Sequence, residues 1–141
     1  MQFVIYAIKQ EVCEHYYYKV ELIKRFFEEC LHAPHSGLLQ KQLDYITEDF
    51  SFKQWFADRY NGLRNTPFSI NANGELFKRG QNYDIIIKKN SSCLLQCDSL
   101  WQAERVLFQP LRMCDQSFFI VEESGEHYGW ISPLSSQRLL S

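Results

Sequence analysis

The chain has 141 residues and carries 15 basic and 17 acidic side chains, for a formal net charge of −2 at pH 7. A chain of this length fits a single domain around one core, and without a basic excess it is a poor match for the phosphate backbone of nucleic acid. No apolar run approaches the roughly 20 residues of a membrane span, so we expect a cytoplasmic protein with no membrane and no direct nucleic-acid partner.

The first predicted elements are a strand and a long helix. Residues 3–8 form a short apolar run, which is typical of a buried strand. Helical periodicity then extends over residues 11–31, and because Leu22 and Phe26 form a second apolar edge, we expect this helix to be covered on two sides. The main apolar stripe consists of Val12, Tyr16, Val20, Ile23, Phe27 and Cys30 or Leu31.

Consecutive tyrosines occupy positions 16 to 18 of this predicted helix. Because neighbouring helical residues are rotated by about 100°, the three rings cannot all face one core. Their positions relative to the main stripe place Tyr16 in the core, Tyr17 at an intermediate angle and Tyr18 towards solvent.

A second, shorter helix is predicted over residues 38–47. Its core stripe consists of Leu39, Leu43 and Ile46. Tyr45 lies off that stripe, with Lys41 and Gln42 nearby. A large aromatic ring beside hydrogen-bonding side chains is typical of an interface hot spot, and a tyrosine that covers a neighbouring loop is the alternative interpretation.

The rest of the chain alternates between strand and helix patterns. Ser51 and Gln54 form a capping box that predicts a third helix, and Ser99 and Gln102 form another, which opens a helix strained in its last turn by Pro110. Residues 61–73 are rich in turn signals. Strands are predicted at residues 83–88, 93–97, 117–121 and 128–131, the first two as a hairpin.

The order of these elements predicts an α+β (or α/β) fold. We expect a single domain over residues 1–141, with a mixed or largely antiparallel sheet of about five strands packed with three to four helices.

The five cysteines indicate reduced thiols, since their odd number and low density do not match a secreted disulfide scaffold. Zinc sites require closely spaced thiolates or imidazoles that converge on the ion. Cys93 and Cys97 have apolar neighbours instead, which favours two small buried residues. We therefore predict neither a metal nor a cofactor.

Motifs for catalysis are missing, because the sequence contains no nucleophile elbow, phosphate-binding loop, dinucleotide fingerprint or zinc-protease motif. Glu122, Glu123 and Glu126 cluster in a predicted hairpin turn, where we expect them to be solvated and to have no neighbour that shifts a pKa. Lys78 and Arg79 are likewise interpreted as a solvated pair. We predict that the chain is not an enzyme.

Three blocks of this sequence resemble the sporulation inhibitor of replication family, SirA. The first block is YAIKQE from Tyr6, running into His15 and Tyr16. The second is KQLDYIT from Lys41, and the third is YGWISP from Tyr128. The blocks keep the order of the family and nearly span the chain, whereas about residues 50–75 match poorly.

The resemblance implies a small cytoplasmic regulator rather than an enzyme, monomeric when free. It implies binding to the N-terminal domain of the replication initiator DnaA, which stops DnaA from acting at the chromosomal origin when a cell commits to sporulation. The partner-binding residues that it implies are Val12, Tyr16, Lys41, Gln42, Tyr45 and Pro133.

Three of these residues carry a qualification. Lys41 is expected at the periphery, and Pro133 is expected to shape the surface rather than to touch the partner. Val12 departs from the family, which can place an aromatic residue there, and a smaller side chain buries less area.

Periodicity and resemblance disagree about Val12 and Tyr16, which the first assigns to the core and the second to an interface. In one interpretation the first two turns of the helix extend past the domain, so that a partner covers the stripe. In the other, the helix begins later and the two residues follow a different phase. A binding module for another protein, or a small α/β enzyme without a legible motif, are the alternative functions.

Overall fold

The computed structural model describes residues 1–60, 69–70, 72, 75–89 and 92–133. Its strands are β1 (Gln2–Ile8), β2 (Ser69–Ile70), β3 (Leu76–Arg79), β4 (Tyr83–Lys89), β5 (Ser92–Cys97), β6 (Ser117–Glu122) and β7 (Tyr128–Ile131). They form one seven-stranded sheet in the order β2-β3-β4-β5-β1-β6-β7. Every neighbouring pair is antiparallel.

Strand β1 lies inside the sheet and is buried on both of its faces. Phe3, Ile5 and Ala7 point into one apolar cluster, and Val4, Tyr6 and Ile8 point into another on the opposite face. This explains why the strand reads as a continuous apolar run rather than as an alternating one.

The helices form one layer on each face of the sheet. The first layer consists of α1 (Gln10–Tyr16), α2 (Val20–His32) and α3 (Gly37–Ile46). The second consists of α4 (Phe52–Tyr60), α5 (Leu100–Ala103), a π-helical segment (Glu104–Phe108) and α6 (Gln109–Leu111), the last three forming one continuous helix. None of the helices in the described part of the chain is long and apolar enough to cross a membrane.

The predicted α+β fold is confirmed, with two strands more than expected. The additional strands are β2 and β3, which lie at one edge of the sheet. The interpretation of Lys78 as solvated is wrong, because it is buried in β3, and desolvation lowers the pKa of its ammonium group. Of the turn-rich segment predicted over residues 61–73, residues 61–68, 71 and 73 lie outside the described residues, and Ser69–Ile70 form β2. Residues 90–91, between β4 and β5, also lie outside them.

The prediction of one helix over residues 11–31 is wrong, because the chain leaves helical geometry between α1 and α2. Helix α1 ends at Tyr16, and Lys19, with φ −105° and ψ 49°, is the N-cap of α2. The indole Nε1 of Trp130 donates a hydrogen bond of 2.9 Å to the carbonyl oxygen of Tyr17, and the Trp130 and Tyr17 rings stack at 5.9 Å. A residue from the last strand therefore fixes the break.

The serine caps of both predicted capping boxes are confirmed, since Ser51 and Ser99 each accept a backbone hydrogen bond of 3.1 Å, from Gln54 and Gln102. The glutamine side chains bind elsewhere, Gln54 to the Asp58 carboxylate and Gln102 to the backbone N–H of Asp98. The last helix changes its apolar phase along its length. Its π-helical segment shifts the phase, so that both Leu107 and Phe108 are buried, whereas Leu100 is exposed.

Candidate protein-binding site

An apolar groove opens between α1, the first half of α2 and α3. It has a volume of about 520 Å³, and among the described residues that line it Lys41 is the one with a charged side chain. We call it the α1–α3 groove; its lining consists of Val12, Tyr16, Leu22, Ile23, Phe26, Lys41, Gln42, Tyr45 and Ile46.

The accessible part of the groove is formed by its aromatic and polar walls. Tyr45 is 73% exposed and Tyr16 is 37% exposed, whereas Val12 is only 9% exposed and belongs to the core beneath. The side chain of Gln42 is exposed beside Tyr45 on α3. Apolar surface, a ring and an amide are thus available to a partner at one place.

Behind the lining lies a stack of aromatic rings that joins the helices to the sheet. The ring of Phe26 packs edge-on against Phe27 at 5.5 Å. Phe27 stacks on Tyr6 of β1 at 4.2 Å and on Phe119 of β6 at 5.5 Å. Burial raises the pKa of the Tyr6 hydroxyl well above its usual range, which keeps it neutral. The groove therefore rests on a rigid base.

The lysine side chains at the rim lie over the two tyrosine rings of the groove. Lys9 Nζ is 5.0 Å from the ring centre of Tyr45, and Lys19 Nζ is 5.5 Å from that of Tyr16. Such cation–π contacts hold an aromatic ring in place and place positive charge next to it.

Five of the six site residues predicted from the sequence line this one groove: Val12, Tyr16, Lys41, Gln42 and Tyr45. Pro133 does not line it and is buried after β7. Neither interpretation of Val12 and Tyr16 describes the structure fully: both lie on the separate helix α1, where Val12 is buried in the core and Tyr16 is exposed. As predicted from helical geometry, Tyr18 points to solvent and is 88% exposed.

Sequence reasoning missed the α2 wall of the groove. Leu22 and Phe26 were identified as a second apolar edge but expected to be covered, whereas Leu22 is 49% exposed and both line the groove. The helical periodicity of the sequence reveals this second apolar edge, but it does not reveal whether the rest of the chain covers it.

A second, larger concavity lies where β1 begins and where β5 and β6 end. This polar cavity has a volume of about 780 Å³, and its lining is mostly polar and charged. The lining residues are Met1, Gln2, Arg79, Gly80, Asn82, Tyr83, Asp84, Gln96, Cys97, Asp98, Glu122, Glu123 and Ser124.

Glu122 is the buried carboxylate of this polar cavity, so its interpretation as solvated is wrong. It accepts hydrogen bonds from the Ser124 hydroxyl at 2.6 Å and from His127 Nδ1 at 2.7 Å. The bond from Ser124, followed by that from His127, holds the pKa of Glu122 below its ordinary value. An ionised group held in this way fixes the turn at Gly125, whose φ is +81°, and is unsuited to donate a proton.

Potential metal ligands and nucleophiles were also located. Among the described residues, one trio of such ligands comes together: Glu122, Glu126 and His127, with ligand atoms within 4.8 Å of one another. All five cysteines are free, and Cys93 and Cys97 are buried as predicted. Desolvation raises the pKa of every one of the five thiols, which keeps them protonated and poorly nucleophilic.

Comparison with known proteins identifies the family. The sequence model of the family described as "Sporulation inhibitor of replication protein SirA" matches residues 1–135 of the chain. The chain belongs to the SirA family. A SirA protein of Bacillus subtilis (strain 168), with the same description, is 18% identical over 141 residues, covering 96% of this chain and 95% of that relative.

The third block of the SirA resemblance supports the groove from behind rather than lining it. Trp130 fixes the break between α1 and α2, as described above. Tyr128 donates a hydrogen bond to the Glu21 carboxylate on α2, and Lys24 Nζ lies 4.3 Å from the Tyr128 ring centre. Membership of the SirA family makes the chain a regulator of replication in sporulation. Residues of the first two sequence blocks line the groove, and the third block contacts α2 and the break that precedes it.

Proposed function

We propose that the chain inhibits the initiation of replication during sporulation by binding the N-terminal domain of DnaA in the α1–α3 groove. The observation that carries the proposal is the convergence of Val12, Tyr16, Lys41, Gln42 and Tyr45, which lie on two separate parts of the sequence, around one open apolar groove. The family membership supplies the biological process.

The proposed mechanism is steric competition in the cytoplasm. When a DnaA domain is held in the groove, the chain covers the surface that other partners of DnaA would contact. The bound DnaA therefore neither recruits those partners nor assembles at the origin. Binding of this kind requires a rigid surface with a few anchoring side chains. The aromatic base beneath the groove and the exposed Tyr45 meet that requirement.

Pro133 enters this proposal indirectly. Its side chain is buried immediately after β7, the strand that carries Trp130 and Tyr128. We propose that it helps to hold the end of β7, and through it the break between α1 and α2.

The test is a binding titration of the host's DnaA N-terminal domain with the wild-type chain and with Tyr45→Ala and Gln42→Ala. For a hot-spot residue we expect a loss of about 2 kcal/mol or more, which is roughly 30-fold in Kd. Because both side chains are exposed, thermal stability is expected to stay nearly unchanged.

Tyr18→Ala is the matched control, since Tyr18 is an exposed tyrosine outside the groove lining. It should bind as the wild type does. Normal affinity of the folded Tyr45 and Gln42 variants would refute the site. Absence of a wild-type complex at about micromolar concentration would instead favour a different protein partner for the same groove.

An enzymatic function of the polar cavity is less well supported. Its one carboxylate with a shifted pKa is held ionised by Ser124 and His127, and its thiol, Cys97, is held protonated by desolvation. Neither group has the pKa near neutrality that acid–base or nucleophilic catalysis favours.

A further inference from the structure

The lysine side chains around the groove come from three separate elements. Lys9 precedes α1, Lys19 precedes α2 and Lys41 lies on α3. We call these three the lysine rim. Lys41 lines the groove itself, and the other two lie over the tyrosine rings that form its walls.

The three lysines of the rim differ in how closely the chain's own carboxylates surround them. Among the described residues, no ion pair within 4.0 Å joins any of the three lysines to an acidic side chain. Glu11, Glu14 and Glu48 line a separate depression of about 450 Å³, which they share with Lys9. The positive charge at the groove therefore rests mainly on Lys19 and Lys41.

We propose that the surface covering the groove is acidic: carboxylates of the partner surround the apolar side chain that enters the groove and lie against Lys19 and Lys41. This inference deepens the proposed function and rests on it, because the acidic surface would belong to the DnaA N-terminal domain. An apolar groove alone accepts many partners, whereas rim charges select among them and speed the approach of an oppositely charged one.

The experiment compares two double variants of identical charge change. The rim variant is Lys19→Glu with Lys41→Glu. The control is Lys53→Glu with Arg105→Glu, two exposed residues on the helix layer of the opposite sheet face. Binding of the DnaA N-terminal domain to each is measured from about 0.1 M to about 1 M salt, over which the Debye length falls from about 10 Å to about 3 Å.

For the rim variant we expect a Kd about tenfold weaker than that of the wild type at the lowest salt, mainly through slower association. The deficit should disappear at the highest salt, and the control should match the wild type throughout. Circular dichroism establishes that each variant is folded. If the rim variant is not, Lys19→Gln with Lys41→Gln is measured in its place.

Equal affinity of the folded rim and control variants would overturn the acidic partner surface and leave the proposed function standing. If the wild type does not bind the DnaA domain, the proposed function fails and the inference fails with it. Sedimentation of the free chain tests whether a second copy of the chain occupies the groove. If the wild type is a dimer and the rim variant is a monomer, the inference is overturned. If a short DNA duplex binds the wild type but not the rim variant, the inference is overturned, because the lysines would then bind phosphate groups.

Discussion

The α1–α3 groove and the polar cavity differ in the chemistry of the side chains that line them. The groove, of about 520 Å³, is walled by helices of one layer and by apolar and aromatic side chains. The cavity, of about 780 Å³, is walled by strand ends and a hairpin turn, with charges of both signs. The larger of the two is therefore not the one whose chemistry suits a protein partner.

The difference lies in whether the lining groups already have partners within the chain. In the cavity, Glu122 is hydrogen-bonded to Ser124 and His127, so a ligand there would have to displace existing bonds. In the groove, Leu22 and Tyr16 expose apolar surface that has no cover. Covering such surface contributes about 25 cal/mol per Å², so a partner gains free energy at the groove.

Removing the base of the groove has the largest expected effect. Phe27 is fully buried and stacks between Tyr6 and Phe119, so Phe27→Ala should lower the free energy of unfolding by about 3 to 5 kcal/mol, measured by urea denaturation. Phe52→Ala, on the opposite sheet face, is the control: it should cost similar stability but leave the groove intact in folded molecules. A Phe27 variant within about 1 kcal/mol of the wild type would contradict this.

Neutralising the buried carboxylate of the polar cavity should have an intermediate effect. Glu122→Gln removes a charge that accepts two hydrogen bonds, at an expected cost of about 1.5 to 3 kcal/mol of unfolding free energy and no change in DnaA binding. A loss of DnaA binding at unchanged stability would contradict this prediction, because it would place the partner at the polar cavity rather than in the α1–α3 groove.

The stabilisation by Glu122 depends on pH in a direction set by its lowered pKa. It is present above the unfolded-state pKa and is lost as pH falls through the still lower pKa of the folded state. The stability difference between wild type and Glu122→Gln should therefore shrink once the pH drops below about 4. A difference that grew in acid would have the wrong sign.

The smallest expected effect concerns the α2 wall of the groove. Leu22 is half exposed, so Leu22→Ala should change stability by less than about 1 kcal/mol. Its loss of contact area should weaken binding to the DnaA domain by about 1 kcal/mol. Leu38→Ala is the matched control, because Leu38 is an exposed leucine on α3 outside the groove lining, and it should bind normally.

The sequence predicted the elements whose signals are local. The strand 128–131 is confirmed with the same bounds, and the two serine caps are confirmed because a cap depends on residues three positions apart. The short strand β3 was missed because it lies beside a turn-rich segment. Its Lys78 is charged and therefore predicts a solvated position, but the sheet buries it.

The break between α1 and α2 was beyond the reach of periodicity. Val12, Tyr16 and Val20 are spaced four residues apart, so the apolar stripe stays in phase across the break. The break is accompanied by the hydrogen bond from Trp130, which is 113 positions away from Tyr17 and so leaves no local signal in the sequence. The family resemblance predicted five of the residues that line the groove. The contribution of α2 to its wall became visible only in the structure.

The position of β1 inside the sheet has a consequence for synthesis of the protein. Although β1 is the first strand to be translated, it pairs on one side with β6, where Ala7 lies opposite Phe118. The base of the groove also needs Phe119, and the break between its helices needs Trp130. The groove therefore cannot form until β7 has left the ribosome, although α1, α2 and α3 have by then already been translated.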